Sequence, residues 1–135
     1  MVRRFRKRNC GLINLKKLVY LISPNNIYKN FYNDLKKVLV FNNVAFFQLR
    51  LKKTQKYKII KIAKKIQKIT KKNKVKFLIN DSAVIAKLTN ADGCHLGQKD
   101  GSAELERANL KNKIIGVTCH NSKSLAKIAI RNKVD

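Results

Sequence analysis

The residues of this chain best suited to chemistry fall in a few short stretches: Gln48-Leu49-Arg50-Leu51-Lys52, Asn80-Asp81, the run from Asp92 through His95 to Asp100, and Thr118. In the first, the i, i+2, i+4 spacing puts an amide, a guanidinium and an ammonium on one side of an extended segment. Converging there, Gln48, Arg50 and Lys52 would suit a polar ring with a phosphate tail; the plainer reading is a polar strand end meeting solvent. Asp81 and Asp100 offer carboxylate oxygens, the ligand type Mg²⁺ takes when phosphate and water complete its shell. An acidic pair is also a local exception in a chain of formal net charge +25. The competing reading gives both a backbone role, Asp81 with Ser82 in a turn or cap and Asp100 as the N-cap of the next helix. Asn80 is placed to orient a ring substituent by hydrogen bonding. Gly97 and Gly101 let the backbone approach a ligand or take a positive φ.

Positioning these residues requires a scaffold, and the chain alternates short apolar runs with helical periodicity. Strands are expected at Leu18–Ile22, Val44–Leu49, Val75–Ile79, Asp92–Leu96 and Ile114–Thr118. Between them, Phe31, Leu35, Val38 and Leu39 keep helical spacing until Asn42-Asn43, and Tyr57 to Ile69 form a long amphipathic helix with lysines on its far side. Shorter helices are expected over Ala83–Leu88 and Ser102–Leu110. Asn121 or Ser122 would cap a last one holding Leu125, Ile128 and Ala129. Short apolar strands without period-2 alternation, each followed by a helix, predict a parallel sheet in an α/β fold. Two architectures meet that description, a doubly wound sheet of flavodoxin type and part of a (β/α)8 barrel. Length favours the first, because a full barrel takes about 250 residues. In either, the candidate residues lie at the C-terminal strand ends, where such folds bind ligands.

Composition narrows the function classes. The 135 residues suggest one domain, 44% hydrophobic, without an apolar run approaching the ~20 residues of a membrane span. Met1 to Lys17 reads as a basic, disordered leader rich in arginine, and Leu18 to Ile22 is too short for a signal-peptide core. The high charge would support nucleic-acid binding. Against that, lysine greatly outnumbers arginine, the lysines are spread over solvated helix faces, and the whole chain is biased to Lys, Asn and Ile. Three cysteines without a C-x-x-C pair fit a reducing cytosol, so a cytoplasmic location is expected. Cys94-His95 and Cys119-His120 are poor zinc sites, since neighbours on a strand point to opposite faces.

Taken together, Y-L-I-S, Q-L-R-L-K, F-L-I-N-D, A-D-G-C-H-L-G-Q-K-D and I-I-G-V-T-C-H, in this order and spacing, resemble the thiamine phosphate synthases. The resemblance covers Leu18 to Asp135 and overrides the length argument, implying a partial (β/α)8 TIM barrel of about five β/α units with parallel strands. It implies a transferase of thiamine biosynthesis that joins hydroxymethylpyrimidine diphosphate to a thiazole phosphate and releases pyrophosphate. By the same resemblance Gln48, Arg50, Lys52, Asn80 and Thr118 bind the pyrimidine diphosphate, while Asp81 and Asp100 hold Mg²⁺. The family reaction is dissociative, a pyrimidine carbocation being captured by the thiazole nitrogen. His95 then needs no general-base role and is read as a supporting residue.

This sequence departs from the family at Ser82, where arginine is common, and at Thr118, where serine is frequent. Val134-Asp135 falls where a sixth strand would begin, and the family's later Gly-Pro segment and phosphate-binding lysine have no counterpart here. The chain is therefore expected to carry the pyrimidine and metal half of the site, and to associate as a homo-oligomer or with a missing C-terminal half. A thiazole tautomerase, which shares the fold without needing the aspartates, and a basic nucleic-acid-binding protein are the alternatives.

Overall fold

The computed structural model describes residues 17–41 and 43–135. The expected leader, apart from Lys17, and Asn42 of the expected helix break lie outside the described residues.

The elements follow the expected alternation: β1 (Val19–Ile22), α1 (Phe31–Leu39), β2 (Val44–Leu49), α2 (Lys56–Lys72), β3 (Lys76–Asn80), α3 (Ala83–Thr89), β4 (Gly93–Leu96), α4 (Ala103–Leu110), β5 (Ile114–Val117) and α5 (Lys123–Arg131). Boundaries move by a residue: β3 begins and ends one residue later than expected, and β5 stops before Thr118. α1 already ends at Leu39, before the Asn pair. Ser122, one of the two candidate caps, accepts the Leu125 N–H at 3.2 Å and starts α5.

Strand order settles the architecture. The five strands lie β1-β2-β3-β4-β5, every neighbouring pair parallel. A doubly wound sheet reverses direction at a switch point, and sequential order without reversal is the winding of a barrel. The flavodoxin-type alternative is excluded.

Register assigns the faces. Phe47 pairs with Phe77, Leu49 with Ile79, Ile79 with Cys94 and Cys94 with Ile115. These side chains are buried with Leu35 and Leu39 of α1, Ala63 and Ile66 of α2, Ile85 and Ala86 of α3, and Leu110 of α4. The core is thus a single layer between the sheet and the helices. Burying each Leu, Ile or Phe contributes roughly 1.5–3 kcal/mol. Period 2 sends the intervening residues, Tyr20, Phe46, Gln48, Leu78, Asn80, His95 and Gly116, to the other face. That face carries the polar groups, so the strands are not clad alike on both sides. Its β1 end is open: Tyr20 is 41% and Ile22 56% exposed. At the opposite edge, Asp135 N donates to Ile115 O at 2.9 Å. Arg107 locks this corner, donating to Lys133 O and to Asp135 Oδ2, each at 2.7 Å. Among the described residues no helix is long and apolar enough to cross a membrane.

Candidate functional site

β2 delivers the first polar group to the inner face. Gln48 is 3% exposed, and a buried amide needs partners. Its Oε1 accepts the Tyr20 hydroxyl at 2.8 Å, and its Nε2 donates to Asn80 Oδ1. Gln48 and Asn80 are therefore brought together across β2 and β3. Arg50, just past the strand, is tied to the end of β1. Its N–H donates to Ser23 Oγ at 2.9 Å and its Nη1 to Asn25 Oδ1 at 3.3 Å. The expected extended geometry ends there, since Lys52 lies in the turn after β2. It is not held by strand parity, yet its charge still acts on Asp81.

The two aspartates face each other. Asp81 takes a left-handed backbone at φ 61°, a conformation aspartate tolerates better than most residues. Its N–H donates to His95 O at 2.8 Å. Ser82 does the capping of α3, accepting the Ile85 N–H at 3.2 Å, so the Asp81 carboxyl is not spent there. The N-cap reading of Asp100 is overturned as well. Ser102 holds the N-cap position of α4, and Asp100 Oδ2 instead accepts the Gly97 N–H at 2.8 Å. That bond bends the loop back toward Asp81. A β-carbon added at Gly97 would collide with Asp100 Oδ2 and come within 3.9 Å of Asp81 Oδ1. Close approach, rather than a positive φ, is what glycine supplies at this position; the positive φ, 117°, belongs to Gly101. Partial desolvation, then a hydrogen bond with Asp100 and its negative charge, raise the Asp81 pKa above the usual carboxylate value; Arg50 and Lys52 pull it down. The mutual influence places Asp81, Asp100, Arg50 and Lys52 in one neighbourhood. Among the described residues neither aspartate is ion-paired, whereas Asp34, Asp92 and Asp135 are. Two carboxylates brought together, neither in an ion pair, form an oxygen donor pair of the type that suits Mg²⁺.

β4 and β5 complete the rim. His95 Nε2 lies 2.9 Å from Thr118 Oγ1, and Gln98 Nε2 donates to Thr118 O. Burial holds the His95 pKa below the ordinary histidine value. Its ring is held against the Thr118 hydroxyl. Cys94 points into the helix-side core, where burial, with a smaller push from Glu106, drives its thiol up to about 12. Adjacent Cys94 and His95 thus do serve opposite faces. Among the described residues no group of three or more His, Cys, Asp or Glu side chains could hold a metal. Sequence reasoning missed Tyr20, although a lone tyrosine in an apolar strand, in step with the inner-face residues, was a readable signal. It also missed Gly116, where a β-carbon would sit 2.6 Å from His95 Nδ1.

Known proteins match this arrangement. The family model described as thiamine monophosphate synthase matches residues 19–135. The thiamine-phosphate synthase of Pelagibacter ubique is 60% identical over 121 residues, covering 89% of this chain and 58% of that protein. That of Erythrobacter litoralis is 40% identical over 111 residues, 80% of this chain and 52% of that protein. The solved thiamine phosphate pyrophosphorylase of Pyrococcus furiosus superposes with a TM-score of 0.77 at 25% identity, over 89% of this chain and 57% of the other. The chain spans about half the length of the curated relatives it matches. With sequence motifs, sequential parallel strands and relatives all agreeing, the chain belongs to the thiamine monophosphate synthase family.

Proposed function

We propose that this chain is a transferase of the thiamine phosphate synthase type, working in the cytoplasm, and that its five β/α units bind hydroxymethylpyrimidine diphosphate with Mg²⁺. The observation carrying this reading is the approach of Asp81 and Asp100 over Gly97, with Arg50 and Lys52 acting on the same carboxyl. Under it, Gln48 and Asn80 hydrogen-bond the pyrimidine, Arg50 and Lys52 neutralise the diphosphate, and Thr118, steadied by His95, adds a hydroxyl contact. Asp81 and Asp100 would hold the metal, whose chemistry is to offset negative charge on the departing pyrophosphate. Fixed cationic and polar groups, not proton transfer, then do the catalytic work. A thiazole phosphate is the second substrate. The tautomerase and nucleic-acid readings gain nothing from the relatives, which are named as synthases.

Calorimetric titration of the chain with hydroxymethylpyrimidine diphosphate, with and without Mg²⁺, tests the reading. Metal-dependent binding supports it; metal-independent binding, or none, removes it. The exposed Tyr20 and Ile22 at the β1 end favour association with a further copy, and sedimentation velocity reads this directly. A soluble, well-folded monomer would count against it.

A further inference from the structure

The turn that carries Asp100 is closed on itself. Gly97 N–H donates to Asp100 Oδ2 at 2.8 Å, and Asp100 N–H donates to Gly97 O at 3.3 Å. Gly97 opens the turn and Gly101, at φ 117°, follows it, so the backbone on either side has the torsional freedom of glycine. The turn also forms one wall of a hollow of about 170 Å³, whose other walls include Leu96, Val117, Leu125 and Ala129. Groups facing an unfilled space forgo their van der Waals partners, so packing does not hold the turn from that side. One side chain does hold it: Gln98 Nε2 donates to Thr118 O, just past the end of β5. Among the described residues no other hydrogen bond joins residues 97–101 to β5 or to the loop after it.

We infer that Gln98 is a positioning residue: by tethering the turn to the backbone of Thr118 beside that hollow, it sets where Asp100 stands relative to Asp81, and so the spacing of the carboxylate pair offered to a metal.

The tether admits one chemical assignment. A carbonyl oxygen only accepts, so the Gln98 amide must present its NH₂ to Thr118. The anchor is itself fixed. Thr118 N–H donates to Leu96 O at 3.0 Å, and the Thr118 hydroxyl lies 2.9 Å from His95 Nε2. Asp81 gives no comparable support from the other side, because two neighbouring carboxylates repel when both are ionised. A turn flanked by glycines, set against a hollow and carrying a charge that its neighbour repels needs a tie to the sheet. Gln98 supplies it, joining the Asp100 carboxylate and the Thr118 hydroxyl into one rim.

This inference rests on the proposed metal pair, and its test separates the two. Gln98→Met keeps the length of the side chain and removes the donor. In the full chain, the backbone amide order parameters of Lys99 and Asp100, read by NMR relaxation, should fall. Affinity for inorganic pyrophosphate with Mg²⁺ should drop about three- to tenfold, the effect of one lost hydrogen bond. Adding Ala129→Leu, which fills the hollow from α5 with a good helix former, should restore both, because a packed wall then replaces the tether. Unmoved order parameters in Gln98→Met overturn the inference. So does order or affinity that Ala129→Leu fails to restore, since Gln98 would then act by some route other than the seating of the turn. If the unaltered chain shows no Mg²⁺-dependent pyrophosphate binding, the proposed function fails, while the order parameters still decide the role of Gln98.

Discussion

Asp81 and Asp100 approach one another over Gly97, the residue whose N–H donates to Asp100 at 2.8 Å. Nothing in a β/α unit requires two carboxylates to meet. Burial first, and then the nearness of Asp100, raises the Asp81 pKa, a cost that a divalent cation would offset.

Gly97→Ala tests how tightly that meeting is built. The added methyl would have to displace Asp100 Oδ2. Metal-dependent diphosphate binding should weaken by on the order of tenfold, ~1.4 kcal/mol. The fold should lose less, since a side chain at a loop can shift. A titration beside a thermal melt checks both.

Asp100 separates structure from binding through two substitutions. Asp100→Ala removes the acceptor for Gly97 N–H and should cost roughly 0.5–1.5 kcal/mol of stability. Asp100→Asn keeps an oxygen for that N–H but loses the charge. It should unfold close to the parent temperature while Mg²⁺ dependence is lost. Binding that survives in both variants would return Asp100 to a purely structural part.

Acidity should act on the site in an unusual direction. The folded-state pKa of Asp81 is raised above 3.8, so the folded chain holds more protons than the unfolded chain between those two values. Its contribution to stability is therefore fully present below the unfolded value and declines as pH rises through the folded one. Mg²⁺ selects the carboxylate, so metal affinity should begin to fall, on acidification, at a higher pH than for an ordinary aspartate. Arg50→Gln removes a charge that lowers the Asp81 pKa and should move that midpoint upward. Magnesium titrations across the acid range read the shift; no change in midpoint would separate Arg50 from the carboxylates.

Gly116→Ala probes the β4–β5 contact. Its β-carbon would sit 2.6 Å from His95 Nδ1, a ring that is also held at Thr118. Overpacking of this kind costs about 1–3 kcal/mol. Chemical denaturation gives the number. A neutral result would mean the His95 ring can turn away, and the Thr118 contact would then be lost.

The sequence by itself determined the elements. Apolar runs and helical spacing mark each strand and helix because those periodicities are local properties of the backbone. Strand ends then place Gln48, Asn80, His95 and Thr118 at one rim, since every β/α unit repeats the same direction. Other outcomes needed the tertiary structure. Periodicity and length alone left a barrel winding and a doubly wound sheet open, since no local pattern encodes which strands pair; the family resemblance pointed to the barrel, and the sequential strand order established it. Local preference favoured Asp100 as an N-cap over a carboxylate facing a metal; the position of Ser102 and the bond from Gly97 N–H removed the cap reading. The partnership of Tyr20 with Gln48 joins residues 28 apart in the chain. It exists because parallel pairing lays β1 beside β2, which is a property of the sheet and not of either strand.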